Sequence, residues 1–189
     1  MNAYRKLWIY IKFSVKLFIK NPGFTTLKTT IRFFPAWKTH LANGKNSVTD
    51  SIPWLTFPSI NFLNKNINKQ MTVFEYGSGG STLFWSERIK QIISVEHDKK
   101  WYEKVKKELE LREIKHVSYF LLEAEEDPDF ALKSSANPND YISDDENFVG
   151  QKFEQYVRKI DEYPDEYFDI ILIDGRARPS CIAHGMKKL

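Results

Sequence analysis

The chain holds a single cysteine, Cys181, in 189 residues, so no intrachain disulfide can staple it. That usage suits a reducing compartment without demanding one. Its four histidines, His40, His97, His116 and His184, are scattered, and no Cys/His cluster has structural-zinc spacing, so no metal site is expected. Long apolar runs are also missing, because lysines interrupt the apolar stretches near the N-terminus too often for a bilayer span. No A-x-A-like cleavage site follows them, which argues against a secretory signal. The cytoplasm is the expected compartment, with attachment to a membrane left open. Acidic residues are absent from positions 1–49, which carry nine Lys or Arg. The overall charge of +3 therefore conceals −6 on residues 50–189, where 19 basic residues face 25 acidic ones. With 42% hydrophobic and 28% charged residues the chain reads as globular, and its length suits one domain.

Basic charge at the N-terminus has a helical period. At 100° per residue, Arg5, Lys6, Lys12, Lys16 and Lys20 share an arc of about 120°. Leu7, Trp8, Tyr10, Ile11, Val15, Leu17, Phe18 and Ile19 cover most of the rest, and Asn21-Pro22-Gly23 ends the pattern. Two readings stay open for residues 4–20. In one, the helix docks on its own domain or on a second subunit of a homo-oligomer, burying Trp and Phe. In the other it lies in an anionic membrane interface, lysines against headgroups. A second short helix is expected over 25–34, with Leu27, Ile31 and Phe34 on one side and Pro35 ending it. The polar turn Ala42-Asn43-Gly44-Lys45-Asn46 marks a boundary between a basic helical segment, 1–49, and a domain, 50–189.

From there apolar strands alternate with helical patterns. After a helix from Pro58 to Asn68, which buries Ile60, Leu63 and Ile67, come strand 72–76, helix 81–90 and strand 91–96. Asp98 can cap a helix over 99–113 in which Trp101, Val105 and Leu109 recur every four residues. Strand three is Val117–Leu122. The acidic stretch Glu123–Gly150 is long enough to be a functional lid or disordered. A helix Phe153–Ile160 then leads to strand four, Phe168–Asp174, apolar on both faces as a central parallel strand should be.

The most specific signal is Glu75-Tyr76-Gly77-Ser78-Gly79-Gly80-Ser81-Thr82, between the first strand and its helix. Glycines let the backbone turn sharply and approach a ligand, and the helix start offers unpaired N–H groups. Nineteen residues after Gly77, Glu96 closes strand two, where a carboxylate can accept both hydroxyl protons of a ribose. Glu75 sorts the candidate ligands: beside a pyrophosphate it meets like charge, beside an ammonium and a sulfonium it attracts. S-adenosylmethionine is thus favoured over NAD, whose fingerprint would also need glycine in place of Thr82. A turn that merely joins strand to helix is the alternative.

The segments VFEYGSGGST, ISVEHD and FDIILIDGRAR, with Ile52–Pro58 upstream, resemble motifs of the Rossmann-like S-adenosylmethionine-dependent methyltransferases. The likeness runs over about residues 50 to 189, and Ser81 stands where the family's third glycine would be. It implies an α/β three-layer sandwich with a parallel sheet in the order 3-2-1-4, preceded here by helices. The family sheet has seven strands, so the chain reads as a truncated or interrupted form of a longer methyltransferase, with a dimer completing the sheet in trans as the other option. Ile170–Ile173 would otherwise lie on an open edge. By the same resemblance Tyr76, Gly77, Ser78, Gly79 and Ser81 frame the methionine part of the cofactor, with Glu75 near its ammonium. Glu96 holds the ribose, His97 sits beside adenine, and Glu123–Glu125, Glu125 above all, reach the adenine edge. An exposed turn residue is the competing reading for His97, and an acidic loop for Glu125.

Methyl transfer is an in-line displacement, so alignment is the main task, with proton removal from some acceptors. Asp174 is the candidate catalytic or acceptor-orienting carboxylate; a turn aspartate bonding the Gly175 backbone is its alternative. Arg176 or Arg178 is placed to recognise an anionic group, and Trp54 and Phe57 to form part of an acceptor pocket, against surface and packing roles. The acceptor itself is not legible. No base-reading motif points to nucleic acid. A non-catalytic remnant, working as a membrane- or partner-binding module through its basic helix, is the rival function.

Overall fold

The computed structural model describes residues 3–42 and 47–189. Two long helices, α1 (Ala3–Lys20) and α2 (Phe24–Ala42), lead into the single turn α3 (Ser47–Asp50) and α4 (Phe57–Asn66). Strands β1 (Thr72–Tyr76), β2 (Gln91–Glu96) and β3 (Val117–Leu121) alternate with α5 (Gly80–Ser86) and α6 (Lys99–Leu111). A ribbon of β4 (Glu125–Glu126) and β5 (Gln151–Lys152) follows, then α7 (Glu154–Arg158), β6 (Ile170–Ile173) and α8 (Arg178–Gly185). Four strands form one sheet, β3-β2-β1-β6, parallel throughout. With β6 as the fourth sheet strand, this is the expected 3-2-1-4 order of a Rossmann-like α/β fold.

Side chains alternate across the strands and sort the helices into two layers. Phe74, Tyr76, Ile93 and Val95 face α7 and α8, meeting Phe153, Tyr156, Val157, Ile160 and Cys181. Val73 and Ile92 face the other way, onto Phe84, Trp85 and Ile89, with Ile60, Leu63 and Ile67 of the α4 segment half-buried beside them. A third cluster joins Leu83 of α5 to Val105 and Leu109 of α6 and includes Val48. Each fully buried side chain of this kind stabilises the fold by about 1.5–3 kcal/mol. Ser47 and Val48 are thus buried with the core, just before the boundary expected at residue 50.

Strand register decides where the loops meet. Tyr76 lies opposite Val95 and Ile173, so Gly77, Glu96 and Asp174 follow side by side at the carboxyl edge. Backbone bonds extend the alignment one step further, Gly77 N to Val95 O at 2.9 Å and Asp174 N to Tyr76 O at 2.9 Å. Asp98 caps α6 as expected, accepting from Trp101 N at 2.8 Å.

Several expectations need correction. The helix expected to stop at Pro35 runs through it to Ala42. Proline forfeits one backbone hydrogen bond, and aromatic packing on both sides offsets it. Phe34 and Trp37 pack at a tilt against Tyr10 of α1, Phe33 stacks on Phe57 of α4, and the Tyr10 hydroxyl donates to Thr30 O. Leu27 and Ile31, expected on one side of this helix, are exposed. The polar turn at 42–46 lies, apart from Ala42, outside the described residues. Residues 123–150 are a folded strap rather than a disordered stretch. β4 pairs antiparallel with β5, buried Asp127 binds Lys133 at 2.7 Å, and short 3-10 turns occupy Phe130–Leu132 and Glu146–Phe148. The helix expected over 153–160 divides into α7 and a 3-10 turn, Lys159–Glu162.

Candidate functional site

A cavity of about 330 Å³ opens at the carboxyl edge of the sheet. Gly77, Ser78, Gly79 and Ser81 line it from the turn after β1, His97 from the end of β2, and Asp174 and Arg176 from the turn after β6. Trp54, Trp101 and Ser47 complete the wall. Gly77 has φ +89°, and a Cβ there would fall 2.9 Å from Gly175 N, so the β1 and β6 turns touch. At Gly80 a Cβ would fall 2.1 Å from Ser47 O, because the chain before α4 crosses the first turn of α5.

Ser78 is clamped from three sides. Its N–H and hydroxyl both donate to Glu96 Oε2 at 2.9 Å, and its hydroxyl shares a 2.6 Å hydrogen bond with Tyr119. The Trp101 indole donates to Ser78 O at 2.7 Å. Glu96 Oε1 accepts from the His97 and Asp98 N–H groups at 2.8 and 2.9 Å. Four donors therefore fill a carboxylate that offers about four acceptor positions. Burial pushes the Glu96 carboxyl up, but the hydrogen bonds from His97 and Asp98, the His97 charge and Ser78 outweigh it and hold it below its ordinary value.

His97 is not the exposed turn residue of the alternative reading, since its side chain is only 11% exposed. Nδ1 lies 2.9 Å from Glu96 Oε1, outside hydrogen-bond alignment, and is buried without another partner. The ring packs edge-on against Phe148, Phe153 and Tyr156.

Glu75 stands behind this wall rather than on it. It is fully buried, and its Oε2 accepts from the Thr82 hydroxyl at 2.6 Å and the Ser94 hydroxyl at 2.7 Å. Burial raises its carboxyl to about 7 despite these bonds. Thr82 in turn accepts from Gly79 N at 3.0 Å, so Glu75 reaches the glycine turn through one hydroxyl. Tyr76 also faces away, donating from its buried hydroxyl to Val157 O at 2.6 Å. Glu125 sits in the β4–β5 ribbon, where its carboxylate accepts from Gln155 N at 3.1 Å, away from the cavity wall.

After β6, Asp174 bonds Arg178 rather than the Gly175 backbone: Arg178 Nη2 donates to Asp174 Oδ1 at 3.2 Å and its Nε to Gly175 O at 3.1 Å. Arg176 pairs with Asp145 of the strap at 2.6 Å and lies over the Phe148 ring. Gly175 and Arg176 also line a neighbouring cavity of about 410 Å³, together with Ser135, Ser143, Asp144 and Arg178.

Sequence reasoning missed Trp101, Tyr119 and Ser47. Trp101 and Tyr119 carry period-four and strand patterns that read as packing, and only the sheet order brings them against Ser78. Among the described residues, no three His, Cys, Asp or Glu side chains group as a metal site.

No family model matches the sequence, and no curated protein matches it. Solved structures do. A methyltransferase-like protein from Silicibacter pomeroyi is 25% identical, with 71% of this chain and 67% of that one covered and a TM-score of 0.48. The YcgJ protein from Bacillus subtilis is 13% identical, covering 60% and 35%, at a TM-score of 0.33. A dimethyladenosine transferase from Plasmodium falciparum is 20% identical, covering 33% and 26%, at 0.28. The chain thus spans about a third of the length of the YcgJ protein. Two of these three are described as a methyltransferase-like protein and a dimethyladenosine transferase.

Proposed function

We propose that the chain is an S-adenosylmethionine-dependent methyltransferase whose acceptor is unidentified. One arrangement carries the reading: the glycine turn after β1, Glu96 at the end of β2 and Asp174 after β6 gather at the carboxyl edge of the sheet, where the turn and Asp174 line one cavity and Glu96 holds Ser78 of that wall. The wall suits the nucleoside in two respects. Gly77 and Gly79 present bare backbone, and His97 Nδ1 is a buried polar atom without an aligned partner. In this reading Gly77, Ser78, Gly79 and Ser81 frame the methionine part. Glu96 holds the ribose by exchanging the Ser78 hydroxyl for the diol, leaving that hydroxyl to Tyr119. His97 lies beside adenine in place of Glu125. Glu75 acts from behind, setting the turn through Thr82 rather than meeting the ammonium. When bound, the cofactor supplies an electrophilic methyl group on sulfur. The acceptor then shares this cavity, with Asp174 orienting it or receiving its proton and Arg176 and Trp54 as contacts.

Titration calorimetry with S-adenosylhomocysteine tests this. Wild type should bind, and Glu96→Gln, checked as folded by circular dichroism, should lose at least about tenfold in affinity, the weight of one charged hydrogen bond. A folded wild type that takes up no nucleoside overturns the proposal. The exposed basic hairpin α1–α2 favours the rival reading, a binding module without catalysis, and that same null titration would support it.

A further inference from the structure

Helices α1 and α2 form an antiparallel hairpin around Tyr10, which packs on Phe34 and Trp37 and bonds Thr30. None of α1's described side chains is buried. On a 100° wheel, the side facing α2 centres on Tyr10 and Ser14. Next to it runs an arc of about 120° holding Leu7, Phe18, Ile11, Tyr4, Val15, Trp8 and Ile19. All seven are exposed, from 41% at Leu7 to 83% at Tyr4. On α2 the exposed apolar residues are Phe24, Leu27 and Ile31. Projected down the hairpin, with one helix running each way, both stripes fall on the same side of the plane through the two axes. Ten large apolar side chains thus make one uncovered face, beyond the roughly 300–600 Å² of the largest patch on a typical monomer.

Cations flank this face on both edges. Lys12 and Lys16 follow the apolar arc on α1, and Lys28 and Arg32 follow it on α2. Lys28 and Arg32, with Thr25 and Thr29, line a cavity of about 340 Å³ against α4, suited by charge and hydroxyl content to a phosphate headgroup. No acidic residue occurs in the first 49 positions to oppose them. Among the described residues no helix is long and apolar enough to cross a membrane. We infer that the hairpin lies flat in the interface of an anionic lipid bilayer, its ten-residue face in the acyl boundary and its flanking cations on the headgroups. Charge selects this occupant over a second copy of the chain, because two copies would set the cations flanking one face, Lys12, Lys16, Lys28 and Arg32, against the same cations of the other.

Co-sedimentation of the full chain with phosphatidylcholine vesicles, with and without phosphatidylserine, tests the anchor. Binding should require phosphatidylserine and fall as salt rises. Lys12→Gln with Lys16→Gln should weaken it by about 25-fold, from about fivefold per surface cation. Ile11→Asp with Phe18→Asp, both exposed and so compatible with folding, should abolish it. Equal sedimentation of wild type and the aspartate variant overturns the inference, as does no binding to either vesicle. A lipid-free dimer on ultracentrifugation that Ile11→Asp dissociates also overturns it, assigning the face to a second copy.

Discussion

Two carboxylates one strand apart illustrate how burial and hydrogen bonding compete. Glu75 has no exposed surface, Oε1 is buried without a partner, and its carboxyl rises from 4.5 to about 7. Glu96 is almost as buried, yet four donors hold it below its ordinary value. Their effects on stability have opposite signs. Between 4.5 and about 7 the folded chain keeps a proton on Glu75 that the unfolded chain has shed, so stability is full at lower pH and is lost as pH climbs to 7. Glu75→Gln should remove that loss, gaining up to about 3 kcal/mol over wild type at pH ~8 relative to pH ~4 by urea unfolding. Parallel curves for the two proteins across that range would show that Glu75 is ionised throughout. The stability from Glu96 is present above the ordinary carboxylate range and disappears as pH falls through its depressed value.

Among the elements, α6 shows local rules acting undisturbed. Asp98 accepts from Trp101 N, and its own N–H donates to Glu96, so one residue starts the helix and ties it to the site. Asp98→Ala should cost about 1 kcal/mol and lower the melting temperature by a few degrees, since the backbone bond to Glu96 survives the change. A melting point unchanged within a degree would mean that water caps the helix equally well. In α2 the local rule loses. Proline at position 35 is a stop signal, but Tyr10, Phe57 and Trp37 supply contacts on either side of it, and none of these is near Pro35 in a way that periodicity reveals. The strap over 123–150 resists reading for a similar reason. Its acidic composition suggests solvation, whereas Asp127 and Asp145 are spent on Lys133 and Arg176.

At the scale of the molecule, the two ends of the chain differ in how much apolar surface they bury. Residues 47–189 bury an aromatic-rich core on both faces of the sheet, while α1 and α2 hold to it through half-buried contacts such as Phe33 on Phe57. Opening free energy follows buried apolar contact, so the hairpin should open locally without the sheet. Amides of residues 5–19 should exchange with deuterium at least about 100-fold faster than those of β1 and β2, after correction for intrinsic rates. Equal protection would show that the hairpin unfolds only with the core. If the lipid inference holds, vesicles with phosphatidylserine should raise protection in α1 and leave β1 unchanged.

The glycine turn and the residues ending each strand were legible in advance from short-range patterns, namely apolar runs of strand length, turn residues and a capping aspartate, whereas the strand order came only through the family resemblance. The resemblance and the strand ends together singled out Gly77, Ser78, Gly79, His97, Asp174 and Arg176, and it is the fold that sets these six on one cavity wall. Direction was not legible. Glu75 and Tyr76 sit at strand ends beside the cavity, yet alternation and a nearby hydroxyl turn them inward, and Glu125 is captured by a two-residue ribbon with β5. Nor could a wheel on one helix tell whether Trp8 and Phe18 meet protein or solvent. That depends on which side of α1 the second helix covers, and α2 covers the side of Tyr10, leaving the broader apolar face open.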